Sequence, residues 1–239
     1  MRILSIIPAR GGSKTLPRKN IKLFNEHPLI YWSILPSLNA KLITKTIVST
    51  DDEEIANTAK QYSDIVPFLR PASLAQDSSS SVSLVIHALD YFEQQDEYFD
   101  AILLLQPTSP LRTASELDEM ISHFTQNQDD FDALVAVVTS LTPHHAKTIE
   151  NQKLVPLFPD FKHISRRQDA PPSFAPCGMG YLTKVETLRK TNSFYPERTL
   201  GWVVDNRHRY DIDDQYDFIA AESVHKACYD AETQCYKTL

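Results

Sequence analysis

The chain has 239 residues, 42% of them apolar and 23% charged. That balance excludes a disordered, collagenous or disulfide-stapled protein and fits one globular domain with a small appendage. Lys and Arg number 24 against 31 Asp and Glu, a formal charge of −7, which disfavours a protein whose main task is to coat nucleic acid.

Five short apolar runs read as strands buried on both faces: Ile3–Ile7, Thr46–Ser49, Ile65–Phe68, Ala101–Leu105 and Ala133–Val138. Between them Pro28–Ala40, Asp52–Tyr62, Val82–Phe92 and Ala114–Phe124 carry apolar residues at helical spacing. Strands alternating with helices predict a doubly wound, mainly parallel α/β sheet. The alternation breaks after Thr139. Six prolines in residues 141–176 exclude long helices there and predict an extended arm set between a domain of residues 1–140 and 177–239. Regular structure is expected again at Met179–Thr183, Lys184–Lys190, Trp202–Val204 and a last helix from Asp214 to Tyr229. Cys177, Cys228 and Cys235 have no zinc spacing and fit a reducing compartment. No early apolar run is long enough to span a bilayer. A cytoplasmic protein with no membrane and no nucleic-acid partner is therefore expected.

The first strand delivers the chain into Ala9-Arg10-Gly11-Gly12-Ser13-Lys14, then Leu16-Pro17-Arg18-Lys19-Asn20. Two of the chain's five glycines stand here together, where Gly11 and Gly12 let backbone N–H groups approach a ligand. Arg10, Lys14, Arg18 and Lys19 add cations, at the strand end where open α/β sheets bind ligands. The pattern reads as a polyphosphate cradle, although it is neither a Walker A loop nor G-x-G-x-x-G. A solvated basic turn is the plain alternative. Asp211-Ile212-Asp213 puts two carboxylates on one side of an extended segment, a pair suited to Mg²⁺. Asp213 and Asp214 alternatively cap the last helix. Gln106-Pro107-Thr108-Ser109-Pro110 is a rigid loop that offers Gln106 to a polar substrate or uses it to brace itself. Arg112 reads equally as an anion ligand or as a helix-flanking salt bridge. His144-His145 alternate in direction on a strand, so surface or interface positions suit them better than a shared metal.

The segments Ile6–Lys14, Pro17–Asn20, Val48-Ser49-Thr50-Asp51, Leu69-Arg70-Pro71-Ala72, Gln106–Arg112, Arg167-Gln168 and Asp211-Ile212-Asp213 together resemble the acylneuraminate cytidylyltransferases, the CMP-sialic acid synthetases and their relatives. The resemblance spans nearly the whole chain. It implies a Rossmann-like nucleotidyltransferase fold and transfer of CMP from CTP to the anomeric oxygen of a nonulosonic or related 2-keto-3-deoxy sugar acid, with Mg²⁺ as cofactor. It matches Arg10, Ser13, Lys14, Lys19 and Asn20 to a nucleotide-phosphate loop, and Arg70 and Ser81 to positions around the nucleoside. The plain alternatives are a surface arginine before a Pro turn for Arg70 and a helix N-cap for Ser81. Lys19, Asp211 and Asp213 are the expected catalytic groups, and Gln106 is assigned to the acceptor. The proline-rich arm is implied to form a homodimer with shared active sites, bringing Lys147 and Arg167 to the acceptor's carboxylate. One departure stands out: Cys177-Gly178-Met179-Gly180-Tyr181 replaces the usual Asn-Gly-Ala-Ile-Tyr, which puts the sugar in question more than the reaction. A GT-A-like glycosyltransferase with a D-x-D metal site and a non-catalytic nucleotide-binding protein are the competing readings.

Overall fold

The computed structural model describes residues 1–76, 79–140, 146–158, 171–230 and 235–236. Its elements in chain order begin with β1 (Ile3–Pro8), the short strands β2 (Leu23–Phe24) and β3 (His27–Pro28), α1 (Tyr31–Asn39), β4 (Lys45–Ser49) and α2 (Glu53–Lys60). Next come α3 (Ser81–Glu93), β5 (Ala101–Leu104), α4 (Ala114–Asn127), β6 (Ala133–Thr139) and a hairpin of β7 (Lys147–Glu150) and β8 (Lys153–Pro156). The chain closes with β9 (Phe174–Lys184), α5 (Val185–Thr191), β10 (Thr199–Val203), α6 (Gln215–Cys228), β11 (Tyr229–Asp230) and β12 (Cys235–Tyr236).

Six strands form the main sheet in the order β10-β6-β9-β5-β1-β4. β9 runs antiparallel to β5 and β6, and the other neighbours are parallel. Alternation along each strand divides the core. Ile3 and Ile7 of β1, with Ala101, Leu103 and Leu105, pack under α1, α2 and α4 through Ile34, Ile55, Ala59, Leu117, Met120 and Phe124. Leu4 and Ile6, with Ile102 and Leu104, pack under α3 and α5 through Val85, Ala88, Leu89, Phe92 and Leu188. Helices on both faces explain why these strands read as unbroken apolar runs, and the sheet is doubly wound and mainly parallel as expected. Among the described residues no helix is long and apolar enough to cross a membrane.

The helix starts follow capping chemistry. The Asp52 carboxylate accepts from Ile55 N at 3.0 Å, and Glu53 and Glu54 favour the positive end of α2. Thr113 and Glu116 form a capping box on α4, and Asp214 and Asp217 form one on α6. Two expectations differ from the structure. Ile65–Phe68 forms no strand. It runs beside the free edge of β4, receiving Val48 N at Ile65 O (2.7 Å) before the single Thr50–Leu69 bridge, because Pro67 interrupts any ladder. The strand expected at Met179–Thr183 begins five residues earlier, at Phe174, so the last positions of the proline-rich stretch already belong to the sheet. Pro176 is accommodated next to a register shift between Val135 and Val137. His144, His145, Arg166, Arg167 and Gln168 lie outside the described residues.

Candidate active site

The loop after β1 is braced from several sides. Ala9 N donates to Ser49 O at 3.0 Å, carrying the β1–β4 pairing one step past the strand. Asn20 is buried and its Nδ2 donates to Arg10 O at 3.0 Å, closing the loop on itself. Gly11 is required by a close approach: a Cβ there would lie 2.5 Å from Asp52 Oδ2, and nothing stands within 4 Å of one at Gly12. Both glycines have ordinary negative φ, so conformational freedom is not their purpose. The sequence grouped Arg18 with the cradle cations. The structure commits it elsewhere: its Nη1 lies 2.5 Å from Asp52 Oδ2 and its Nη2 pairs with Glu54.

Arg70 is 4% exposed and reaches Asp51 Oδ1 at 3.3 Å, and the same oxygen accepts from Gly11 N at 3.3 Å. Asp51 thus joins the glycine loop to the arginine. Burial lowers the Arg70 pKa, with Asp51 opposing, and a guanidinium remains charged throughout. Across the cleft, Gln106 N donates to Gly178 O at 3.1 Å. Arg112 is 2% exposed and donates to Gln106 O and Gly178 O at 2.7 Å each, and to Ser33 Oγ at 2.6 Å. It braces the backbone behind the Gln106 loop. Gly178 permits this packing, because a Cβ would fall 2.4 Å from Gln106 Oε1 and 2.5 Å from Ser109 Oγ. Gly178→Ala is expected to destabilise the fold by about 1–3 kcal/mol through overpacking, read as a lower urea midpoint with unchanged slope.

Asp211 and Asp213 are both exposed, while Ile212 between them is fully buried beside Leu16, Phe24 and Phe218. Ile212 N donates to Thr108 O at 2.8 Å and Thr15 Oγ1 to Asp213 O at 2.5 Å, fixing the segment to two cleft loops. Asp214, not Asp213, caps α6 by accepting from Tyr216 N (2.7 Å) and Asp217 N (3.0 Å). Lys19 Nζ donates to Ile212 O at 2.5 Å, across 193 residues of sequence. Burial lowers the Lys19 pKa, opposed by Asp213 and Asp211. Just upstream of Asp211, His208 Nε2 lies 2.9 Å from Glu116 of α4, and Arg207 pairs with the same carboxylate. These donors and that of Thr113 overcome the effect of burial and hold its pKa down at about 2.

Arg10, Ser13, Lys14, Lys19, Asn20, Arg70, Ser81, Gln106, Asp211 and Asp213 line one cleft of about 460 Å³. The cleft opens where the parallel strands β1 and β5 end, the expected ligand side of such a sheet. Ser81 enters it from the first turn of α3, whose cap is Ser80, with Oγ accepting from Ser83 N at 3.1 Å. Gly11 and Gly12 are not among its lining residues, and Lys147 stands apart on the exposed hairpin. Arg167 lies outside the described residues. Thr15, Gln76, Ser79 and Thr108 also line the cleft, although the sequence reading gave them no role. The run Ser78–Ser81 was the available signal for Ser79. Cys177 is 5% exposed, and burial pushes its thiol up to about 11, which suits a neutral side chain and not a nucleophile.

A family model described as cytidylyltransferase matches residues 4–227. The CMP-N,N'-diacetyllegionaminic acid synthase of Legionella pneumophila is 35% identical over 227 residues, covering 94% of this chain and 96% of that protein. A pseudaminic acid cytidylyltransferase of Campylobacter jejuni is 30% identical over 231 residues, covering 97% and 99%. Among solved structures, a CMP:2-keto-3-deoxy-manno-octonic acid synthetase complexed with CTP superposes with a TM-score of 0.68 at 14% identity, covering 95% of this chain and 99% of that one, which is a likeness of fold. With the cation-rich loop and the carboxylate pair on one cleft, and a match over nearly its full length, the chain belongs to the cytidylyltransferase family.

Proposed function

We propose that the chain transfers CMP from CTP to the anomeric hydroxyl of a nonulosonic or related 2-keto-3-deoxy sugar acid. The anomeric oxygen attacks the α-phosphorus, the bond to the β-phosphate oxygen breaks, pyrophosphate leaves and the hydroxyl proton is released. The observation that carries this reading is the meeting, in one cleft, of Arg10, Lys14, Lys19 and Arg70 with Asp211 and Asp213. Charge developing on phosphate oxygens needs such fixed cations more than covalent help. The loop residues Arg10, Ser13 and Lys14 hold the triphosphate, Asn20 braces their loop, and Arg70 and Ser81 stand by the nucleoside. Gln106 addresses the acceptor, and Lys19 links the triphosphate to the carboxylate segment.

Among the described residues no three His, Cys, Asp or Glu side chains gather into a metal cage. Two carboxylates on one wall nevertheless fit Mg²⁺, which keeps waters and takes phosphate oxygens as its other ligands. Asp211 and Asp213 would hold it. When bound, the ion neutralises the oxygens of the triphosphate and of the departing pyrophosphate. Incubation with CTP and a panel of sugar acids tests the reading. Pyrophosphate release that requires both supports it, and cleavage of a nucleotide sugar in their place supports a glycosyltransferase.

The exposed apolar residues of the β7–β8 hairpin support a homodimer. Ile149 is 73% exposed and Leu154 70%, with Leu157, Phe158 and Phe174 also exposed nearby in sequence. In this reading residues 141–176 are the dimerisation arm, which brings Lys147 and Arg167 to the partner's acceptor. A second subunit would cover the arm's apolar face and a C2 pair would exchange arms. Ile149→Asp with Leu154→Asp is expected to convert a sedimenting dimer to monomer at micromolar concentration. Mixing inactive Arg167→Ala with inactive Asp211→Asn is expected to restore part of the activity. A dimer without complementation would place Arg167 in its own chain's site.

A further inference from the structure

Glu116 does not line the cleft, yet its carboxylate joins two segments that do. It is the N3 residue of α4, and its two oxygens serve different ends. Oε2 accepts from Thr113 N at 2.9 Å and lies 3.0 Å from Thr113 Oγ1, which completes the capping box. Oε1 accepts from His208 Nε2 at 2.9 Å and from Arg207 Nη2. Arg207 and His208 belong to the 3-10 turn Asn206–Arg209, which leads directly into Asp211. A helix cap needs the first oxygen only. The second ties α4 to the chain that carries the carboxylate pair.

That turn is braced from within. Arg207 N donates to Asp205 Oδ1 at 2.8 Å, Tyr210 N to Arg207 O at 3.3 Å and Asp211 N to Arg209 O at 3.1 Å. Arg207 Nε also reaches Leu111 O at 3.3 Å, one residue before the Arg112 that holds Gln106 O and Gly178 O. Nearer the cleft, Ile212 N donates to Thr108 O, and Leu111 and Ile212 share one apolar cluster. The Gln106–Arg112 loop and the 205–213 segment are therefore stitched at Thr108, at Leu111 and, through α4, at Glu116. One of these segments presents Gln106 to the cleft and the other Asp211 and Asp213. Thr113 N, His208 Nε2 and Arg207 Nη2 all donate to Glu116. A carboxylate suits them all, whereas an amide of the same shape must turn an N–H onto a donor on one side or the other.

We propose that Glu116 is a positioning residue for the reaction: by holding Arg207 and His208 it fixes Asp211 and Asp213 against the Gln106 loop, and so sets where the attacking oxygen meets the α-phosphorus. This rests on the cytidylyltransferase reading. Misplacing reacting groups by a fraction of their contact distance slows the chemical step and leaves binding of CTP at the phosphate loop in place.

The test uses Glu116→Gln, Arg207→Met and, as a control for the helix cap alone, Thr113→Ala, which leaves Thr113 N on the carboxylate. Pyrophosphate release from CTP, Mg²⁺ and an N-acylated nonulosonic acid gives kcat and KM. Amide hydrogen exchange at Ile212 reports directly on the segment, and CTP-dependent thermal shift checks folding and nucleotide binding. Glu116→Gln and Arg207→Met are each expected to lower kcat by about 10-fold or more, to keep KM for CTP within about 2-fold, and to speed exchange at Ile212 by about 10-fold. The double variant is expected to fall no further than the worse single one, because both remove the same contact. Thr113→Ala is expected to melt at a lower temperature with wild-type kcat and wild-type exchange at Ile212. Should Glu116→Gln fail to fold, Arg207→Met decides alone. Wild-type kcat in a folded variant, or a fallen kcat with Ile212 exchanging at the wild-type rate, overturns the positioning role and leaves CMP transfer standing. So does an equal fall of kcat in Thr113→Ala, which would assign the effect to the start of α4. A wild type that binds CTP and forms pyrophosphate with no sugar acid overturns the transfer reading, and this proposal with it.

Discussion

Asp211→Asn and Asp213→Asn are each expected to lower kcat by about 100- to 1,000-fold with little change in thermal stability. Neither carboxylate supports the fold in a way the amide cannot. Both side chains are exposed, and the segment is held through its backbone, by Ile212 N to Thr108 O and by the Thr15 hydroxyl to Asp213 O. The buried Ile212 anchor is retained in both variants. What changes is the charge offered to a hard cation, since an amide oxygen is a weaker partner for Mg²⁺ than a carboxylate. A second readout separates this from a general loss of activity. Titration of CTP at rising Mg²⁺ is expected to show the metal enhancement of binding in the wild type and its loss in the double variant. A double variant with wild-type turnover would remove both residues from the reaction.

Lys19→Met is expected to lower kcat/KM for CTP by roughly 10- to 100-fold, the value of one charge-assisted contact. Lys19 does two things at once. Its ammonium lies near Asp211 and Asp213, where it limits their mutual repulsion, and it donates a hydrogen bond to Ile212 O. Arg10→Ala removes a cleft-lining cation without touching that bond and is expected to fall in the same range, mainly through KM. Unchanged kinetics in both variants would refute the phosphate cradle. A fall for Lys19→Met alone would mean that the lysine acts by bracing the segment that bears Asp211 and Asp213.

The parts of this molecule that depend on local pattern were legible in the sequence. β1, β4, β5 and β6 follow from apolar runs, and α2 and α4 from their spacing and their capping residues. The cation loop and the Asp211–Asp213 pair were also visible, because each is a compact string of residues. What escaped depends on pairing between distant segments. Arg18 counts as a fourth cradle cation until Asp52 and Glu54, more than 30 residues away in sequence, are found to hold it. Pro176 and Gly178 look like strand breakers, and only the register shift opposite Val135 and the near contact of Gly178 with Gln106 explain them. Ile65–Phe68 has strand composition but lies at an edge that Pro67 keeps from pairing fully. The Glu116–His208 contact joins residues 92 apart, and no local motif announces it.

The most direct test of the central claim is the stoichiometry of the products. The enzyme is given CTP, Mg²⁺ and an N-acylated nonulosonic acid, and phosphorus NMR follows the reaction. The account predicts one equivalent of pyrophosphate for each equivalent of a new phosphodiester carrying both CMP and the acid, with no free CMP formed first. Formation of CMP and pyrophosphate without the diester, or a diester that forms equally well when the sugar acid lacks its anomeric hydroxyl, would contradict it.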